Sequence, residues 1–202
     1  RIAAVFENGR NLCVEAPTGV GKSFAYLIPA IYAALSMKKP VLITTETLNL
    51  QEQLVYKDLP LLAKLLNVDL KFVLAKGRGN YICKRRLLLA RGGHRDEFLP
   101  SREMLTEVER LADWADRTED GSKYDLDFPV DGELWACVCS EASNCSGPSC
   151  KFFRTCFYWK ARREWENADI VVANHALFFV DLKIRALEQL ETSPLPNYGA
   201  VV

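Results

Sequence analysis

The sequence predicts an α/β fold: a mostly parallel sheet with helical crossovers, interrupted by an inserted cysteine-bearing module. Three observations carry that expectation. Short apolar runs alternate with helical periodicities in the outer thirds of the chain. A glycine-containing turn, Gly19-Val20-Gly21-Lys22-Ser23, joins the first such run to the first helix. The middle of the chain breaks the rhythm; it is acidic and holds all but one of the seven cysteines. At 202 residues, nearly half of them apolar, the chain suffices for one domain with an insertion.

Taken in order, residues 11–15 read as a buried strand, with Cys13 a small apolar residue inside it. Residues 21–36 follow as a helix with Phe24, Leu27, Ile28 and Ile31 on one face. Residues 41–45 are the next strand, and 47–66 a helix with Leu50, Leu54, Leu61, Leu62 and Leu65 apolar. Residues 71–74 and 169–173 complete the strands, and right-handed crossovers between them imply a parallel sheet. Between them, residues 76–165 are the insertion, with turns at Gly92-Gly93, Asp120-Gly121 and Asp131-Gly132 and a helical stripe over 103–117 (Met104, Val108, Leu111, Ala115). That divides the chain into 1–75, 76–165 and 166–202. The chain opens on Arg1 without Met and closes on the apolar Ala200-Val201-Val202, so it reads as an interior piece of a longer protein.

Formal net charge is zero, which excludes a globally basic nucleic-acid binder. The charges are nevertheless segregated. Residues 76–95 hold seven bases and no acid, 96–143 hold fourteen acids against four bases, and 151–163 hold five bases and no acid. No apolar run is long enough to span a bilayer and no signal peptide is present, so a cytoplasmic protein is expected. Clustered cysteines in that compartment more often bind metal than form disulfides.

The turn Ala16-Pro17-Thr18-Gly19-Val20-Gly21-Lys22-Ser23 has the spacing of a phosphate-binding loop. Gly19 and Gly21 permit backbone angles that turn N–H groups towards a phosphate, and the following helix adds its positive end. Lys22 would reach the β- and γ-phosphates of ATP, and Ser23 would ligate Mg²⁺. Ala16 stands where the general pattern has its first glycine, a departure that costs little if the position needs no positive φ.

Cys83 is followed, after 61 intervening residues, by Cys145-x₄-Cys150-x₅-Cys156. Four thiolates suit either tetrahedral zinc or a cubane iron–sulfur cluster; the absence of a tight C-x₂-C pair tilts the spacing towards iron. Cys137 and Cys139 are left as free thiols or competing ligands. If the four share one centre, the basic segments around Arg78, Lys84 and Arg85 and around Arg154 are drawn together into one positive patch, which makes these four bases candidates for DNA contact. The aromatics between the later bases, Phe153, Phe157 and Trp159, then either stack on single-stranded bases or form the dry shell of the centre.

These motifs resemble the DinG/XPD branch of superfamily 2 helicases, and the bacterial DinG type most closely. The resemblance runs through Glu15–Ser23, Val41–Leu54, Lys76–Cys83, the C-x₄-C-x₅-C group, Ala168–Phe178 and the tail Tyr198–Val202. It implies a parallel-sheet P-loop NTPase (RecA-like) motor domain with an inserted iron–sulfur module. The implied activity is that of an ATP-dependent 5′-to-3′ DNA helicase acting as a monomer on single-stranded or forked DNA. It further implies that Cys83, Cys145, Cys150 and Cys156 hold a [4Fe–4S] cluster, and that Thr44, Thr45 and Asn174 contact DNA. Lys22 and Ser23 would be catalytic, although the acidic box and second motor domain that complete such a site lie outside this sequence, so the piece alone is expected to hydrolyse ATP poorly. A phosphate-loop ATPase with a structural zinc module, switching on DNA without unwinding it, is the alternative.

Overall fold

The computed structural model describes residues 1–92, 104–187 and 193–202. Gly93, the start of the helix expected over 103–117, and residues 96–103 of the acidic segment lie outside them. The chain forms two compact units, Arg1–Lys76 with Arg163–Val202, and Gly77–Arg162.

The first unit is α/β. Its strands are β1 (Val41–Thr45), β2 (Phe72–Ala75), β3 (Ile170–Asn174) and β4 (Ala200–Val201), in the order β2-β3-β1-β4. All the pairings are parallel, with Val41 opposite both Ile170 and Ala200, and Phe72 also opposite Ile170. β3 is buried along Ile170–Ala173, the near-continuous apolar run that a strand covered on both faces requires. The helices of this unit are α1 (Ile2–Asn8), α2 (Lys22–Met37), α3 (Leu48–Gln53), α4 (Leu59–Leu66) and α9 (His175–Ala186). On α2, Leu27, Ala30, Ile31 and Ala34 fall on one face and join Val41, Ile43, Leu54, Leu59, Ile170 and Val172 in the core.

Two sequence expectations are corrected here. Residues 11–15 are not a strand: they pair with no neighbour among the described residues, and Leu12, Cys13 and Val14 are exposed. An apolar run becomes a strand only where an adjacent strand takes its hydrogen bonds, and periodicity carries no information about that neighbour. Instead these residues border an open trough beside α1 and α2. The helix expected over 47–66 is also broken. Between α3 and α4 the chain widens into a π-turn over Leu54–Asp58, with the Leu59 amide bonded to Leu54 O. Pro60 has no N–H to give to the carbonyl four residues back, so regular α geometry cannot run through it. The extra residue rotates the following face, burying Val55, Leu59 and Leu62 while Leu61 and Leu65 point outward.

The segment entering β4 hangs on one buried carboxylate. Asp181, fully buried on α9, accepts hydrogen bonds from Arg185 Nε at 2.6 Å, Leu195 N at 3.0 Å and Tyr198 Oη at 3.1 Å, and from Ser193 Oγ. Arg185 also donates to the carbonyls of Leu195 and Pro196. A buried charge is tolerable only when matched this completely.

The second unit is helical. Helix α5 (Lys84–Arg91) packs on α6 (Leu105–Arg117) and α7 (Gly132–Val138), and α8 (Phe157–Glu166) runs from this unit into the first. Its buried side chains include Leu87, Ala90, Val108, Leu111, Ala115, Leu134 and Val138. Gly121 adopts φ +64°, and a Cβ there would lie 2.2 Å from the Phe157 ring, so the turn needs glycine for both backbone and space.

Replacing Asp181 by Ala should cost about 3–5 kcal/mol, because it strands the Arg185 charge, and urea unfolding measures the loss. Burial and the Asp181 charge push the Tyr198 phenol up to about 12 from its ordinary 10.0. A raised folded value means the neutral phenol's contribution is fully present below the unfolded pKa and is lost as pH rises through the folded one. Stability should therefore fall more steeply from pH 10.0 to about 12 in the wild type than in Tyr198→Phe, compared by denaturant midpoints at each pH.

Candidate nucleotide loop and cysteine cavity

The loop Ala16–Gly21 leads directly into α2, with Gly21 as the N-cap residue and Lys22 as the first helical one. Gly19 and Gly21 stand at φ 81° and 80°, in the left-handed region that side chains avoid. No atom within 4 Å would meet a Cβ at either position, so the requirement is conformational rather than steric. The Lys22 ammonium lies back across the loop, donating to Ala16 O at 3.0 Å and Pro17 O at 2.8 Å. Ser23 hydrogen-bonds Tyr26, whose phenol burial pushes above its ordinary value. The loop is exposed, its lysine is held over it, and the unpaired amides of the first turn of a 16-residue helix face the same region. Such an arrangement can receive a polyanion.

At the ends of the strands, the parallel register sets Thr45 beside Asn174. Thr45 is 7% exposed, and the Thr44 hydroxyl donates to Val202 O at 3.1 Å. Asn174 caps α9, its Oδ1 accepting from the Leu177 amide at 2.7 Å. His175 is exposed and lies edge-on to Phe179. Of the candidates for DNA, Thr44 and Asn174 thus use their side chains in hydrogen bonds within the fold.

In the second unit Cys83, Cys145, Cys150 and Cys156 all line one small cavity, together with Phe152, Phe153 and Trp159. Backbone pairing positions Cys83: Ile82 bridges Cys139, and the Cys83 amide donates to Val138 O at 2.8 Å, which sets the thiol at the start of α5. The other three ride on a string of tight turns. The Gly147 amide donates to Cys145 Sγ at 3.4 Å with Gly147 at φ 53°, Cys150 N bonds Gly147 O at 3.0 Å, and the Cys156 carbonyl accepts from Lys160 N at 2.9 Å to open α8. No cysteine is in a disulfide. Among the described residues, no three His, Cys, Asp or Glu side chains form a group able to hold a metal ion.

The thiols are not equivalent. Burial pushes Cys156 up, and Cys137 and Cys139 likewise. At Cys145 burial acts in the same direction but is outweighed by the Gly147 amide and the Arg78 and Trp159 side chains, and the thiol lies below its ordinary value. Two buried donors here, Arg78 Nη1 and Trp159 Nε1, have no hydrogen-bond partner of their own.

The bases divide by what holds them. Arg78 stacks on Tyr158, 3.9 Å from the ring centre, and Lys84 sits 4.6 Å over Phe157. Arg85 donates to the Asn144 carbonyl. Arg154 is exposed. Of the aromatics, Phe153 and Trp159 line the cavity 5.3 Å apart, whereas Phe157 is buried against Gly121. Sequence reasoning missed Arg86, which is 8% exposed and donates to Cys137 O at 2.7 Å and Ala136 O at 2.8 Å while pairing with Glu141 at 2.5 Å. Nothing in a run of three bases singles out the one that turns inward.

Comparison with known proteins now bears on both regions. A DEAD/DEAH box helicase family model matches residues 1–91, the stretch with the loop, β1 and β2. The chain is 37% identical to ATP-dependent DNA helicase DinG of Escherichia coli (strain K12) over 195 residues, 90% of this chain. Over nearly its whole length the chain is similar to the DinG helicases. ATP-dependent DNA helicase DinG of Salmonella typhimurium is also 37% identical, over 193 residues. ATP-dependent DNA helicase YoaA of Escherichia coli is 39% identical over 188 residues, 91% of this chain. The chain spans about a quarter of the length of these relatives, 27% of both DinG proteins and 28% of YoaA. With 90% of the chain matched, the similarity extends beyond residues 1–91 into the cysteine-bearing unit of this DinG-like chain.

Asn174 offers a direct check on its place in the fold. Asn174→Ala should cost about 1 kcal/mol by loss of the cap, and Asn174→Asp should restore it, both read from urea midpoints. Equal loss in the two variants would mean that the cap is not what the side chain contributes.

Proposed function

We propose that this DinG-like chain is the nucleotide-binding and cluster-bearing part of a cytoplasmic, ATP-dependent DNA helicase that moves 5′ to 3′ on single-stranded or forked DNA as a monomer. The observation that carries the reading is the loop at the start of α2, with glycines at positive φ and the Lys22 ammonium already over it, in a chain 37% identical to DinG over 90% of its length. On binding ATP, Lys22 exchanges its two loop carbonyls for β- and γ-phosphate oxygens. The loop amides of Ala16–Gly21 and the first turn of α2 cradle the same phosphates, and Ser23 turns from Tyr26 to ligate Mg²⁺. The remaining parts of the hydrolytic site come from elsewhere in the full-length protein.

We assign the Gly77–Arg162 unit to an iron–sulfur insertion held by Cys83, Cys145, Cys150 and Cys156. We read the four thiols as ligands of a cluster rather than of a single ion. A lone zinc needs its ligands converging within about 2.3 Å of one point, whereas a [4Fe–4S] cluster would take one thiolate at each of four separate irons and so hold its ligands farther apart. Four thiols around one apolar-walled cavity, with N–H donors nearby, support that choice. Bound there, the cluster would supply a rigid covalent tie between Cys83 and the Cys145–Cys156 turns. Arg154 is the exposed base left for the DNA backbone, while Arg78, Lys84 and Arg85 act on the local structure first.

In the full-length protein, Lys22→Ala should lower ATP turnover at least about a hundredfold, as losing a charge-stabilising donor does, and abolish unwinding of a forked duplex with a 5′ tail. Wild-type turnover in that variant would contradict the assignment of the loop. Unwinding only from a 3′ tail in the unmutated protein would contradict the polarity.

A further inference from the structure

Cys83 stands at the start of α5, whereas Cys145 sits on an exposed turn that belongs to no helix or strand. What ties that turn to α5 is a relay of side chains. Arg86, buried one turn after Cys83, forks three ways. Its Nε donates to Cys137 O at 2.7 Å and its Nη2 to Ala136 O at 2.8 Å, late carbonyls of α7 that the helix itself leaves open. Its Nη1 donates to Glu141 Oε2 at 2.5 Å. The same Glu141 oxygen accepts from Asn144 Nδ2 at 2.7 Å, and the Asn144 carbonyl accepts from Arg85. Cys145 is the next residue, and its own amide closes the turn on Ala142 O at 3.2 Å. Arg85, Arg86, Glu141 and Asn144 border the same cavity as Cys83 and Cys145.

Burial decides which partner anchors which. The Arg86 side chain is 10% exposed and that of Glu141 51%. A guanidinium withdrawn from water needs an acceptor for each arm, so Arg86 fixes where the Glu141 carboxylate stands, and Glu141 in turn fixes Asn144. None of these bonds passes through a sulfur, so they can order the turn whatever the thiols hold. We propose that Glu141 and Asn144 are positioning residues that latch the Cys145 turn onto α5, so that a Cys145 sulfur released from its iron rebinds before the iron is lost. This rests on the iron–sulfur reading of the Gly77–Arg162 unit. It gives a place in the site to an acid and an amide that ligate nothing themselves.

The test uses full-length, iron-loaded protein prepared without oxygen and follows iron release to a chelator by the fading of the visible absorption. Glu141 and Asn144 are both exposed, so replacing either leaves the core packing in place. Glu141→Ala should release iron about fivefold faster than the wild type, as loss of one net hydrogen bond implies. Asn144→Ala should also be faster, and Glu141→Gln, which keeps an acceptor oxygen, should recover part of the loss. Because the two residues act in series, the double variant Glu141→Ala/Asn144→Ala should be no faster than Glu141→Ala alone. Wild-type release rates in both single variants would overturn the proposal, and so would rates that multiply in the double variant, since independent contributions to general stability behave that way. Wild-type protein without iron and labile sulfide would instead overturn the iron–sulfur reading.

Discussion

Parallel pairing of β2 with β3 is the constraint on which the rest depends. The two strands are neighbours in the sheet, Phe72 opposite Ile170, although nearly half the chain separates them in sequence. Their entrances are clamped by Asp169, whose carboxylate accepts from Lys71 N at 2.8 Å and whose amide donates to Lys71 O at 2.7 Å. Everything between them is one excursion whose two ends are held together by the core of the first unit. A parallel neighbour cannot be reached by a hairpin, so some crossover is obligatory there. This chain fills the crossover with a second unit that has its own buried side chains.

The same constraint organises the polar ends of the sheet. Register sets Thr45 beside Asn174, Asn174 starts α9, and α9 carries Asp181, which holds the segment running into β4. A single buried carboxylate thereby connects the helix after β3 to the edge strand next to β1. Two side chains that look like ligands in the sequence, Thr44 and Asn174, also serve the fold, through a strand-to-strand hydrogen bond and a helix cap.

Much of the architecture was legible in the sequence because local patterns encode it. The α2 stripe, the apolar runs of β1 and β3, and the helix starting near Met104 follow directly from periodicity. The run at Asn11–Glu15 misled because a strand is a property of a pair, and Leu12 and Val14 have no described partner strand. The π-turn at Leu54–Asp58 was invisible because one inserted residue rotates every later face while leaving the composition unchanged. In the site, the loop glycines were legible since their positive φ is a local demand. The four cysteines were legible as a set, and they do line one cavity. The partners of the bases were not: Arg78 and Lys84 lie on aromatic rings, and Arg86 turns inward to backbone carbonyls that are remote in sequence.

The most direct test is metal and sulfide analysis of the full-length protein purified without oxygen, with Cys150→Ser alongside. About four irons and four acid-labile sulfides per chain, lost in the variant, are expected for a [4Fe–4S] centre on these thiols. One zinc and no sulfide would contradict it and return the Gly77–Arg162 unit to a structural metal module.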